Sequence, residues 1–264
     1  MAALSGKKRN FALQNPFIPD TDMIVLYRIY QILIMIPLLL VATVLAATTT
    51  IIGSVLGMGR TFGYWPGHIW ARIFCILSMV RVRVVGDADV EKNKSYVFVA
   101  NHQGAYDIFA IYGYLGHQFR WMMKKGLEKI PLVGYSCRVS GHIYVDNSSP
   151  AAVRATMTEA EKRLAGGMSV VVFPEGSRTP DGRMHAFRRG AFALAVEFGL
   201  PVVPVTIDGA YRILPRGAWL PRYGTITLTV HSPIMPDGDG RHELSTLMER
   251  SRAEIASALP PDQR

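Results

Sequence analysis

The chain has 264 residues, 49% of them apolar, a formal charge of +9 and two cysteines. That length holds one domain with a full hydrophobic core plus an extension. A mean hydropathy of +0.18 combined with a basic excess suits a membrane surface. The chain has neither finger spacing nor a recognisable RNA-binding signature, which leaves nucleic acid out as a partner.

In chain order, residues 1–22 read as an N-terminal tail containing Lys7, Lys8 and Arg9. From Ile29 to Gly59 there is no charged residue; at 31 residues the stretch exceeds the roughly 20 needed to cross a bilayer. It is too long for a signal-peptide core and reads as a retained anchor. Pro37 offers a kink, and Gly53, Gly57, Gly59 and Gly63 lead to a second apolar segment, Ile69 to Val80, interrupted by Arg72. Arg28 lies before the long segment and Arg60 after it, so the positive-inside rule sets no orientation. A helical hairpin dipping into one leaflet accommodates both charged ends better than a single tilted span. Residues 23–80 are therefore assigned to anchoring helices and 81–264 to one domain.

Within that domain strands alternate with helices. Strands are predicted at Val80–Val85, Tyr96–Ala100, Phe119–Met123, His142–Val145, Ser169–Phe173, Val202–Ile207 and Thr225–His231. Helices are predicted at Asp107–Leu115, Pro150–Ala165, Gly190–Phe198 and Arg241–Leu259, the second with Ser149 as cap and Pro150 in its first position. Short apolar strands with helical crossovers predict a layered α/β domain with a mostly parallel central sheet.

Two motifs carry chemistry. The strand ending at Ala100 runs into His102 and Asp107. Residues five apart do not share a helix face, so they meet only if the chain turns between them, with Asp107 in the first turn of the next helix. There the carboxylate can orient the imidazole and leave one ring nitrogen free as a general base. The strand ending at Phe173 runs into Pro174, Glu175, Gly176, Ser177 and Arg178. Pro174 and Gly176 force a sharp exit whose backbone N–H groups can form an anion nest, and Arg178 adds a two-pronged phosphate donor. Glu175 beside such a site calls for pairing with Arg178 or with an acceptor's hydroxyls. Each motif alone also fits a plainer reading: a structural histidine with a capping aspartate, and an ordinary surface turn. From Arg120 to Arg189, 12 Lys/Arg stand against 6 Asp/Glu, a net of +6. Cys75 and Cys137 lie in apolar surroundings, form no metal-ligand pattern and lack the neighbours of an activated nucleophile.

Together, and in this order, the motifs resemble the glycerolipid acyltransferase family, specifically its 1-acylglycerol-3-phosphate (lysophosphatidate) acyltransferases. Asn101-His102-Gln103 with Asp107 resembles the family's catalytic block, and Phe173 to Arg178 its acceptor-binding block. Lys124-Lys125-Gly126-Leu127 through Ile130-Pro131 and Gly134, Leu200 to Val205, and Phe187 to Ala191 match flanking segments. There are two departures. Gly104 stands where the family usually has a small hydroxyl residue, and Asn147 where its second block often has an arginine that contacts phosphate.

The resemblance implies transfer of a fatty acyl group from acyl-CoA or acyl-carrier protein to the free hydroxyl of 1-acylglycerol-3-phosphate, giving phosphatidic acid. It assigns catalysis to His102 and Asp107 and substrate binding to Glu175, Gly176, Ser177, Arg178, Lys124 and Lys125. It implies a two-helix membrane motif at the inner membrane, a site facing the cytoplasm, and neither metal nor bound cofactor. The alternatives are acylation of another lyso-lipid (a lyso-aminolipid or lysophospholipid), a non-catalytic lipid-binding protein, or an esterase.

Overall fold

A computed structural model describes residues 21–86, 90–146, 148–165, 167–237 and 240–264; nearly all of the predicted tail lies outside them. The described chain starts with α1 (Thr21–Tyr30), which passes through a wide turn at Gln31–Met35 into α2 (Ile36–Gly53). The sharp bend falls at Gly57 rather than at Pro37. Gly57 takes a φ of +85° within a second wide turn, Ser54–Met58, a left-handed conformation that glycine adopts freely. The chain then returns through α3 (Gly59–Phe62) and α4 (Trp65–Leu77).

The two limbs run antiparallel. Tyr27 OH donates to the Ser78 carbonyl, Tyr30 OH to the Leu77 carbonyl and Trp70 Nε1–H to Thr43 Oγ1, while Gly53 lies against Phe62. The stretch Asp22–Phe62 is long and apolar enough to cross a membrane, and only 17% of its most apolar window is buried. Leu33, Leu40, Val41, Leu45, Val55 and Leu56 are all exposed.

The hairpin feeds directly into β1 (Val80–Gly86). The domain continues with β2 (Val97–Ala100), α5 (Tyr106–Tyr114), β3 (Phe119–Lys124), α6 (Val133–Val139) and β4 (Ile143–Val145). Next come α7 (Pro150–Ala165), β5 (Ser169–Val172), α8 (Gly190–Glu197) and β6 (Val202–Asp208). It ends with α9 (Ala210–Ile213), β7 (Gly224–Val230) and α10 (Gly240–Ser257). The seven strands are ordered β1-β7-β6-β2-β5-β3-β4, and all neighbours are parallel except β6 and β7.

Side-chain alternation sends successive strand residues into two different cores. Phe98, Val171, Val203 and Ile207 pack against α4 and α5, with Ala71, Cys75 and Ile111. Val97, Val99, Val170 and Val202 pack on the other face against Phe192, Leu194, Leu247 and Ile255. Both faces of the central strands are covered, which explains their unbroken apolar runs. The hairpin is therefore part of the first core: α4 packs on α5 and Ser78 Oγ bonds Tyr106 OH. At its other limb, Gln31 Nε2–H donates to the Pro221 carbonyl at 2.8 Å.

Candidate active site

β2 and β5 are adjacent and parallel, so the loops after Ala100 and Val172 leave the sheet side by side at its carboxyl edge, where open α/β sheets place their ligands. Asn101 extends the sheet with its side chain. Its Nδ2–H donates to the Ile207 carbonyl at 2.9 Å and its Oδ1 accepts the Ile207 N–H at 2.7 Å. This fixes where β2 ends and where His102 begins.

His102 Nδ1 lies 2.7 Å from Asp107 Oδ2, and the same oxygen accepts the Gly104 N–H at 2.8 Å. Because Asp107 Oδ2 is the acceptor, Nδ1 carries the proton and Nε2 is left with its lone pair. Asp107 is fully buried and His102 retains 14% side-chain exposure. Burial pushes the Asp107 carboxyl above the usual aspartate range, against the lowering effect of the bonds from His102 and Gly104. The Phe173 ring lies parallel to the imidazole, with centroids 3.9 Å apart and planes at 7°, and Trp121 stacks behind it at 5.5 Å. One carboxylate and one aromatic face thus set both the tautomer and the plane of His102.

Glu175 has a different place from the one expected of it. It is 6% exposed; Oε1 accepts the His102 N–H at 2.7 Å and Oε2 the His185 N–H at 2.9 Å. Both oxygens are bonded to backbone N–H groups, so Glu175 braces the loops, and among the described residues it forms no ion pair with Arg178. Burial raises its carboxyl above the ordinary range, and the two N–H groups oppose that. A reciprocal bond, Thr179 N–H to the His102 carbonyl at 2.9 Å, ties the two loops a second time.

The anion turn is smaller than its sequence implies. The Gly176 N–H closes the turn onto the Phe173 carbonyl, and with the Thr179 N–H also spent, those of Ser177 and Arg178 remain undonated among the described residues. Gly176 sits at φ +75°, and an added Cβ would lie 2.9 Å from the Arg188 guanidinium carbon. Arg188 thus lies over the turn, held by its N–H to the Pro174 carbonyl at 2.9 Å. Arg178 and Ser177 are half-buried in the turn, and Arg178 has no carboxylate partner among the described residues.

Lys124 ends β3, on the same carboxyl edge as the two loops. Lys125 is engaged elsewhere: its Nζ pairs with Asp146 Oδ2 at 2.7 Å on the surface. Asn147 lies outside the described residues. Gly104 is closely approached by backbone; an added Cβ would lie 2.9 Å from both the Ala210 and Leu214 carbonyl oxygens, so the hydroxyl residue usual at this position does not fit. Among the described residues no three His, Cys, Asp or Glu side chains group as a metal site. Burial pushes the Cys137 thiol up to about 11, far from a thiolate nucleophile.

A seven-stranded α/β sheet thus carries an aspartate-held histidine and an arginine-bearing turn at its carboxyl edge, and comparison with known proteins points to acyltransferases. Residues 81–208 match the family model described as Acyltransferase. The chain is 29% identical over 202 residues to the chloroplastic 1-acyl-sn-glycerol-3-phosphate acyltransferase LPAT1 of Arabidopsis thaliana, covering 76% of this chain and 55% of that one. To the 1-acyl-sn-glycerol-3-phosphate acyltransferase of Pseudomonas aeruginosa it is 28% identical over 185 residues, covering 70% of this chain and 71% of the relative. The alignments span 55–64% of the length of the algal and plant relatives it matches. The crystal structure of the 1-acyl-sn-glycerophosphate (LPA) acyltransferase PlsC from Thermotoga maritima superposes with a TM-score of 0.71 at 27% identity, covering 89% of this chain and 97% of that one.

Proposed function

We propose that this protein transfers a fatty acyl group from a thioester donor to the free hydroxyl of 1-acylglycerol-3-phosphate, giving phosphatidic acid. The observation that carries this reading is the His102–Asp107 pair at 2.7 Å on the loop bonded to the turn that bears Arg178 and lies under Arg188. The names of the relatives support the choice of acceptor.

In this reading His102 Nε2 takes the proton of the acceptor hydroxyl as the oxygen attacks the thioester carbonyl. Asp107 stabilises the imidazolium that forms. The undonated backbone N–H groups of Ser177 and Arg178 serve the oxyanion. Collapse of the tetrahedral intermediate expels the thiolate, which takes the proton back from His102, so the base is regenerated and no acyl-enzyme forms. A thioester is already activated, and the chemistry asks for neither metal nor bound cofactor. Arg178 and Arg188, with Ser177 and Lys124, hold the acceptor phosphate.

The hairpin's exposed apolar surface keeps the enzyme at the bilayer that contains its acceptor. An acyl-CoA or acyl-carrier-protein donor places the site on the cytoplasmic side of the inner membrane, where tags at both ends of a hairpin anchor would be accessible. The test of the reaction is purified protein in lipid micelles with labelled acyl-CoA or acyl-carrier protein and a panel of lyso-lipids, with products identified by mass. Phosphatidic acid should dominate; faster turnover of a lyso-aminolipid would show the acceptor to be wrong.

A further inference from the structure

We infer that Gln263 is a positioning residue for this reaction, acting through Gln103 on the loop that carries His102; the inference rests on the reading of His102 as the base. Gln103 follows His102 directly and is 2% exposed. Its Nε2–H donates to Gln263 Oε1 at 2.6 Å, while its own buried Oε1 accepts no hydrogen bond among the described residues. The buried amide next to the base therefore depends on one partner, 160 residues away in sequence.

Gln263 also holds the other loop. It lies in the turn Pro261–Gln263, is 8% exposed, and its backbone carbonyl accepts the Met184 N–H at 2.9 Å. Met184 precedes His185, whose N–H is bound by Glu175, which in turn binds the His102 N–H. The contacts close a ring: Gln263 to Gln103, along the chain to His102, across Glu175 to His185, and through Met184 back to Gln263. The turn rests on a firm base. Leu259 is 2% exposed in the second core and Thr206 Oγ1 donates to the Ile255 carbonyl at 3.0 Å.

Two bonds from opposite sides, one to each loop, define how far apart the loops stand. The spacing sets the distance between His102 and an acceptor held by Arg178. Loss of the Gln103–Gln263 bond leaves a buried amide wholly unpaired and releases one side of the ring. Because the bond joins two neutral amides, its loss should slow turnover without altering either substrate's affinity.

The experiment measures kcat and both KM values in lipid micelles, well below each variant's unfolding midpoint, for Gln263→Ala, Gln103→Ala, the double variant and Gln263→Glu, which keeps an acceptor oxygen. Each single alanine variant should lose about tenfold in kcat with KM values within about twofold of wild type. The double variant should be no worse than either single one, and Gln263→Glu should recover most of the loss. Unaltered kcat in Gln263→Ala, losses that multiply in the double variant, or no recovery in Gln263→Glu overturns the inference. If the alanine variants do not fold, Gln263→Asn, which keeps the amide and shortens its reach, is held to the same kcat criterion. His102→Ala measured alongside separates the two claims: activity there overturns the base, whereas an inactive His102→Ala with a fully active Gln263→Ala overturns only the positioning role.

Discussion

Glu175 holds His102 by its backbone while Asp107 holds it by its ring: the His102 N–H sits 2.7 Å from Glu175 Oε1, and Nδ1 2.7 Å from Asp107 Oδ2. A buried carboxylate bonded to two backbone N–H groups fixes a loop, which predicts a role in alignment and not in phosphate binding. Glu175→Gln puts an NH2 group against one of those N–H donors. It should lower kcat about ten- to a hundredfold with little change in the acceptor KM. A large rise in acceptor KM at unchanged kcat would restore Glu175 to phosphate binding.

The base itself is tested by His102→Ala, which should cut turnover by about two to four orders of magnitude while membrane association survives. Asp107→Asn should lose most activity as well, because a neutral amide does not stabilise the imidazolium and, with its NH2 turned to the ring, imposes the wrong tautomer. Turnover near wild type in His102→Ala would falsify the mechanism.

Removing a charge-assisted bond to a desolvated phosphate costs about 1.5–3 kcal/mol, roughly ten- to a hundredfold in affinity. Arg178→Ala and Arg188→Ala should each raise the acceptor KM in this range and leave the donor KM alone. Lys125→Ala should do little, since Lys125 already pairs with Asp146. Steady-state kinetics with each substrate varied in turn separates these outcomes.

Gly104→Ser places a Cβ 2.9 Å from two backbone oxygens. Neither carbonyl can swing aside as a flexible side chain could. The substitution should destabilise by about 1–3 kcal/mol, read as a lower unfolding midpoint, together with reduced turnover because Asp107 loses its alignment with the Gly104 N–H.

Burial, then Arg120 and Arg163, push His142 down to about 3, and its Nδ1 accepts the Trp121 N–H at 3.2 Å. The ring is neutral in the fold, whereas in the unfolded chain it charges below about 6.5. A depressed folded value means the contribution to stability is complete above the unfolded pKa and is lost as pH falls toward the folded one. The slope in that window is about 1.4 kcal/mol per pH unit. His142→Asn keeps an acceptor and removes the titration. It should flatten the fall of the urea midpoint below about pH 6.5, with a residual slope from His117 and His231, which burial also pushes down.

Much of the fold was legible because parallel strands buried on both faces must be apolar throughout, and all seven strands lie within two residues of their predicted ends. Pro150–Ala165 was readable to the residue through its cap, and Ser149 Oγ does accept the Ala152 N–H at 3.1 Å. Val133–Val139 was missed: it spans under two full turns, too short for a periodic signal, and follows Leu132 at φ +62°. The reversal of β7 left no mark either, since an apolar strand reads alike in both directions. His102 and Asp107 could be paired because the turn between them is local. The partners of Glu175 are backbone groups brought close by strand order, and the side chain of Gln263 acts across 160 residues. One signal was available: a buried carboxylate at a sheet edge has to meet N–H donors, and loop amides are the nearest supply.

The Gly57 hairpin comes early in a chain that is synthesised from its N-terminus. It is synthesised before β6, β7 or Gln263. Until β7 emerges, β1 has no strand to pair with, and until Gln263 emerges the ring around His102 stays open. Nascent chains fold as their segments become available, and contacts this distant in sequence close late. The apolar hairpin is therefore made well before the contacts that surround the histidine, and a chain cut short before Gln263 would carry the hairpin without the Gln103–Gln263 bond.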